Sequence, residues 1–160
     1  MRKLIYPDWP SARAAVGLLL LRVVMGMAFV FHGWPKIQHP LNWMDVQSNS
    51  GMPGVLQALA ALSEFGGGIA LVLGLLTPLA ALGIAGTMSV AIGLVHLRMQ
   101  HPFVASSPGP SYELAAVYLA AAILLLLAGP GRLSLDALLF GSPSQSVGNN
   151  ATTERLTSPR

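Results

Sequence analysis

Residues 55–97 read VLQALAALSEFGGGIALVLGLLTPLAALGIAGTMSVAIGLVHL, an apolar run whose ionisable groups are Glu64 and, near its end, His96. A helix needs about 20 apolar residues to cross the hydrocarbon core of a bilayer, so this run is long enough for two crossings. Thr77-Pro78 marks the break between them, because proline fits the first turn of a new helix and interrupts an old one. The sequence therefore predicts one membrane-spanning helix over 55–76 and another over 78–97.

Two further stretches of the same kind flank this pair. Residues 14–34 form an apolar segment interrupted by Arg22, and residues 112–128 form another, stopped by Gly129-Pro130-Gly131. The fold class expected is an all-α membrane protein, a four-transmembrane-helix bundle. Composition agrees: 53% of the 160 residues are hydrophobic, 9% are charged, and the mean hydropathy is +0.61. Soluble domains carry about 25% charged residues, so this chain is too poor in polar side chains to coat itself against water. The nine Lys and Arg are scattered without a basic patch, which argues against nucleic acid as a partner despite a formal charge of +3. With no cysteine, thiol–disulfide catalysis, iron–sulfur clusters and Cys-attached haem are excluded.

The first residues, MRKLIYPDWPSARAAVGLLLLRVV, open like a secretion signal. Their apolar stretch of about 20 residues exceeds the ~7–15 of a cleaved one, which favours a retained first span. Arg2, Lys3 and Arg13 precede that span and Arg132 follows the fourth, whereas the opposite side carries only Lys36 and Arg98. The positive-inside bias then puts both termini in the cytoplasm (N-in/C-in) and both long loops, 35–54 and RMQHPFVASSPGPS, outside. Trp9 falls at the inner interface, Trp34 and Trp43 at the outer one. A multi-pass protein of the bacterial inner membrane is expected, with residues 1–140 as the transmembrane domain. The Ser-, Thr- and Asn-rich residues 141–160 are expected to be a disordered cytoplasmic tail.

Ionisable groups at bilayer depth cost roughly 2.5–3.5 kcal/mol each, so their positions are informative. Counted from the outer ends of their spans, Arg22 lies about 18 Å deep and Glu64 about 15 Å deep. Equal depth predicts an Arg22–Glu64 ion pair, either a lock on the bundle or a grip on a ligand's head group. The four histidines, His32, His39, His96 and His101, all fall on the outer side, and Tyr112 and Glu113 open the fourth span there. Helical stripes converge inward: Arg22, Gly26, Phe29, Gly33 and Lys36 in the first span, with His32 on its edge. The third span offers Gly86, Ser89, Gly93 and His96, and the fourth Glu113, Val117 and Ala120. Small residues seven apart (Gly26/Gly33, Gly67/Gly74, Gly86/Gly93) allow helices to approach closely.

Such residues suit several chemistries. His32, His96 and Glu113 could hold a divalent ion, yet the close His-x-x-x-His spacing is missing, and no metal site is assigned. Bis-histidine haem would need His32 and His96 to face each other. A slot for a quinone carbonyl, or a similar amphipathic ligand, needs only a donor, an acid or base and an apolar wall. Arg22, His32, Glu64, His96, Tyr112 and Glu113 are the candidate ligand-binding residues for it. Solvated interfacial residues without chemistry are the remaining reading.

The stretches RVVMGMAFVFHGWPK (22–36), EFGGGIALVLGLLTPLAALGIAGTMSVAIGLVH (64–96) and YELAAVYLAAAILLLLAGPGRLSLDALL (112–139) resemble the DoxX family of small bacterial membrane proteins. The likeness covers the four spans in order. It rests on Arg-x-x-x-Gly, His-Gly-x-x-Lys, Glu-x-Gly-Gly, Leu-Gly-Leu-x-Thr and Gly-Pro-Gly-x-x-Ser-x-Asp together. It implies a four-helix bundle and a place beside redox systems, since family members include a subunit of a thiosulfate:quinone oxidoreductase and partners of oxidative-stress complexes. No cofactor is evident in the residues themselves: there is no Gly-x-Gly-x-x-Gly nucleotide turn, and Gly66-Gly67-Gly68 lies within a span. The chain is therefore expected not to catalyse alone but to act as a quinone-binding membrane subunit for a soluble redox partner. A component of a small-solute transporter, as a homo-oligomer, and a membrane scaffold for other proteins are the alternatives.

Overall fold

The computed structural model of the chain describes residues 12–45 and 51–140. Arg2, Lys3, Trp9 and the 141–160 tail, on which part of the topology argument rests, lie outside them. The described residues form helices α1 (Ala12–Gln38), α2 (Gly54–Leu73), α3 (Thr77–Val90), α4 (Glu113–Ala128) and a short α5 (Leu135–Phe140). Beyond Val90, α3 continues as a wider π-helical turn, Ala91–His96. Three helices, Ala12–Gln38, Gly54–Leu73 and Thr77–His96, are long and apolar enough to cross a membrane. The fourth, α4, is equally apolar over 16 residues, a length of about 24 Å.

Lipid as the solvent explains which residues are outside. Leu20, Val24, Phe31, Leu79, Leu82 and Leu127 stand more than half exposed around the bundle, while Arg22, Gln57, Glu64 and Asp136 are buried. A water-soluble protein does not display apolar side chains over such a surface. Burial of apolar area gives little drive between helices in lipid, so close packing and polar contacts must hold them together.

The tightest packing joins α1 to α2. A Cβ on Gly26 would stand 2.6 Å from the carbonyl oxygen of Gly68, and one on Gly68 would stand 2.8 Å from that of Gly26. One side-chain layer further along, a Cβ on Gly33 would run into the backbone of Phe65. These contacts fix an antiparallel register in which Gly26 faces Gly68 and Gly33 faces Phe65. The buried face of α1 is the predicted stripe, Arg22, Gly26, Phe29 and Gly33, with Met25 beside it. The other glycine pairs act differently. Gly74 takes a left-handed φ of 67° as the C-cap of α2, where Cβ-bearing residues are strained. Nothing lies within 4 Å of a Cβ placed on Gly86 or Gly93, so neither draws helices together.

The predicted stripes of α3 and α4 also turn outward. Ser89, Gly93, Val117 and Ala120 are exposed, and the core is made by Ala81, Ile84, Met88, Ala122 and Leu125 instead. Ser89 reaches this apolar surface because its hydroxyl donates to the Ala85 carbonyl one turn back, at 2.8 Å. A serine satisfied within its own helix needs no interior partner.

Arg22 and Glu64 do not pair. The Arg22 guanidinium donates to the carbonyl oxygens of Pro130, at 2.7 Å, and Leu133. The depth estimate fails because α1 does not end at Trp34: it runs through Pro35 to Gln38, and α2 begins beyond that level. Gly33 facing Phe65 means that α2 starts roughly 15 Å beyond the level of Trp34, which drops Arg22 to the level of Gly74. There the Asp136 carboxylate accepts the backbone N–H groups of Leu76 (2.7 Å) and Thr77 (2.8 Å) and so caps α3, while the Asp136 amide donates to the Gly74 carbonyl. Ser134 accepts from Ala137 N–H and opens α5.

The glycine contacts predict opposite outcomes for one substitution at two positions. Gly26→Ala forces two backbones apart and should lower stability by about 1–3 kcal/mol. Gly86→Ala meets open space and should leave stability unchanged or raise it by up to about 1 kcal/mol. Denaturant titration in detergent micelles, followed by circular dichroism, measures both.

Candidate functional site

Extension of α1 past Pro35 carries Lys36 onto the stripe that faces α2, one turn beyond Gly33. Its ammonium donates to both oxygens of the Glu64 carboxylate, each at 2.6 Å. Glu64 is 2% exposed and Lys36 23%. Lys36 Nζ also lies 4.4 Å from the centre of the Trp43 ring, a cation–π contact that covers it from above. Charge pairing, bidentate geometry and an aromatic lid together offset the desolvation of both ions, a cost that pairing alone often fails to recover.

Gln57 holds the segment that supplies Trp43. Its side-chain oxygen accepts from Met44 N–H at 2.9 Å, and its amide nitrogen donates to Asp45 Oδ2 and the Met52 carbonyl. Trp43 Nε1 donates to the Gln57 carbonyl at 2.9 Å. A buried glutamine thus finds its partners in the loop and pins that loop across the N-terminal end of α2.

Beside the ion pair a groove of about 330 Å³ opens between α2 and α3. Lys36, Trp43, Ser63 and Glu64 form its polar end, and Leu59, Gly83, Gly86, Val90 and Leu94 are among its apolar walls. Gly86 makes room by lacking a side chain, which explains why it touches nothing. Thr87 Oγ1 donates to the Gly83 carbonyl and so lines the groove without an unmet donor. A shallower trough shares Ser63, Leu82 and Gly83 with the groove and continues past Gly66 and Ala70 to Leu76. Leu59 and Leu82, both more than half exposed, flank the opening, which therefore faces lipid. A mostly apolar cleft with a few convergent polar groups is the usual form of a small-molecule site.

The sequence candidates are dispersed around this site. Glu64 is in it, while Arg22 lies at the other end of α2. His32 is exposed on α1 and its ring meets those of Phe29 and Tyr118, on the α4 side. His96 does not line the groove but faces His101, with Nδ1 atoms 3.0 Å apart, and its ring sits 6.5 Å from that of Tyr112. Glu113 is exposed at the start of α4. Three ligand-type side chains do not gather around any metal position among the described residues. The groove residues missed from sequence are Lys36, Trp43, Ser63 and Gly86. For Lys36 the signal was present, since it continues the α1 stripe.

The fold and site define a class: a small multi-pass helical membrane protein with a lipid-facing groove and a buried ion pair at its end. The DoxX family profile matches residues 17–97, and the chain belongs to the DoxX family. It is 32% identical over 124 residues to "Inner membrane protein YqjF" of Escherichia coli (strain K12), covering 78% of this chain and 92% of that one. Over 125 residues it is 30% identical to "Putative oxidoreductase CatD" of Bacillus subtilis (strain 168), 78% and 88% of the two chains. "Inner membrane protein YphA" of Escherichia coli (strain K12) is 32% identical over 140 residues, 85% of this chain and 99% of that one. No solved structure shows significant similarity to the chain. The protein is a multi-pass protein of the inner membrane.

A buried pair responds asymmetrically to mutation. Lys36→Met strands the Glu64 carboxylate and should cost roughly 3 kcal/mol, whereas Lys36→Met with Glu64→Leu should recover most of that loss. A double-mutant cycle by denaturant unfolding in micelles reads the difference; additive losses would contradict the pairing.

Proposed function

We propose that this chain is the membrane subunit of a quinone-linked redox system and holds an amphipathic ring compound in the groove between α2 and α3. The observation that carries the reading is the groove itself: an apolar slot, open to lipid, that ends on the Lys36–Glu64 pair. A quinone carbonyl can accept a hydrogen bond from the Lys36 ammonium, and a quinol hydroxyl can donate one to the Glu64 carboxylate. The two groups thus complement both forms of the same ring. The trough toward Leu76 gives room for an apolar tail. The redox word in the name of the Bacillus subtilis relative supports the same direction.

In this reading all four long helices cross the bilayer with both termini inside, and residues 141–160 form a cytoplasmic tail. The groove's polar end then lies within the outer half of the bilayer, where a ring compound dissolved in the membrane reaches it sideways. Electron transfer belongs to a soluble partner, and the chain's part is to bind, orient and exchange a proton with the ring.

Native mass spectrometry of the chain, released gently from its own membranes, tests this reading together with Gly86→Leu. Filling the groove at Gly86 should leave the fold intact and remove a quinone-sized adduct that wild type carries near stoichiometry. His96→Ala, outside the groove, should retain it. Bare wild type, or equal loading of Gly86→Leu, contradicts the assignment; a bare protein that moves solute in proteoliposomes would favour transport.

A further inference from the structure

The histidines that the groove leaves out are placed by an unusual piece of backbone. After Val90 the helix widens, so that Leu97 N–H donates to Ile92 O at 2.9 Å and His101 N–H donates to His96 O at 3.0 Å. Both bonds reach five residues back. In an α-helix, residues five apart point about 140° away from each other. The wide turn removes that divergence and puts His96 and His101 side by side. Gln100, immediately before His101, has a φ of 56°, a left-handed conformation that costs a residue with a Cβ. Wide turns of this kind and strained backbone both concentrate at functional sites.

What the two features build is a pair of imidazoles meeting Nδ1 to Nδ1 at 3.0 Å. As a free pair, one ring must donate its Nδ1 proton to the other. With metal–nitrogen bonds of about 2.0–2.1 Å, the same separation corresponds to an angle of roughly 95° at a shared ion. That is the angle between neighbouring positions of a square or tetragonal site, the geometry of Cu(II) and Ni(II) with nitrogen ligands. We propose that His96 and His101 form a two-histidine chelate for a divalent ion of this type, at the outer end of α3. The ion sits to one side of the line between the two Nδ1 atoms, each of which then presents a lone pair in place of the shared proton, and water fills its other positions. Both residues are partly exposed, so the ion can enter from solvent, and Tyr112 and Phe103 wall one side by their ring contacts. Spacing did not reveal the site because His-x-x-x-x-His is not a same-face pattern on an α-helix.

Cu(II) alone, titrated into the full chain in detergent micelles and followed by electron paramagnetic resonance, tests the proposal. One tetragonal Cu(II) with two equatorial imidazole nitrogens is expected. Affinity should fall by roughly tenfold or more in His96→Gln and in His101→Gln, a scale already reached by losing an outer-shell partner. His32→Gln and His39→Gln should bind like wild type. Because these side chains are partly exposed, glutamine should leave the thermal unfolding curve in place, which keeps the comparison interpretable. Equal binding by His96→Gln and His101→Gln, or a spectrum without imidazole nitrogens, would overturn it.

Discussion

The contact between Gly26 and Gly68 sets the register on which the rest of the bundle depends. With no side chains between them, two backbones meet, and each carbonyl occupies the space a partner's Cβ would need. Sliding α1 along α2 by one turn would press Arg22 or Phe29 into that gap. The register therefore has one solution, and it decides which charges meet. Lys36 reaches Glu64 because Gly33 sits against Phe65; Arg22 reaches the Pro130 and Leu133 carbonyls because it falls level with Gly74.

Polar groups at the middle of α2 and at its Gly74 end are used in different ways. At the Gly74 end, Arg22, Ser134 and Asp136 are tied to backbone atoms of the turns they hold. The Gly-Pro-Gly-x-x-Ser-x-Asp and Leu-Gly-Leu-x-Thr motifs come together there as one structural joint, with Gly129 and Gly131 at positive φ. At Glu64, halfway along α2, the carboxylate and ammonium are held by each other and border open space. An ion pair facing a lipid-accessible groove can exchange part of its bonding with a ligand, whereas guanidinium bonds to turn carbonyls serve the fold.

An all-helical protein with long apolar helices could be read from the sequence because lipid admits only helices and closed barrels, and apolar runs of about 20 residues fit the helix. The inward stripe of α1, from Arg22 to Lys36, was legible for the same reason: period and polarity coincide there. Register was not. Depth counting assumed that Trp34 and Val55 stand level, whereas α1 runs on to Gln38 and α2 starts roughly 15 Å beyond Trp34, an offset that moves Glu64 away from Arg22 and onto Lys36. The groove was illegible too, because Gly86 reads as a packing residue until its surroundings prove empty. Nor could composition announce the widened turn after Val90 and the left-handed Gln100, which together bring His96 to His101.

The direct test of the account is the Lys36–Glu64 distance in a bilayer, measured by solid-state NMR dipolar recoupling between ¹⁵Nζ of lysine and ¹³Cδ of glutamate. The protein has only two lysines, so Lys3→Arg leaves Lys36 as the single labelled amine. A strong coupling for a separation of about 3–4 Å, abolished by Glu64→Gln, is the result the register predicts. No coupling in the wild-type protein, or a coupling that survives Glu64→Gln, would contradict it.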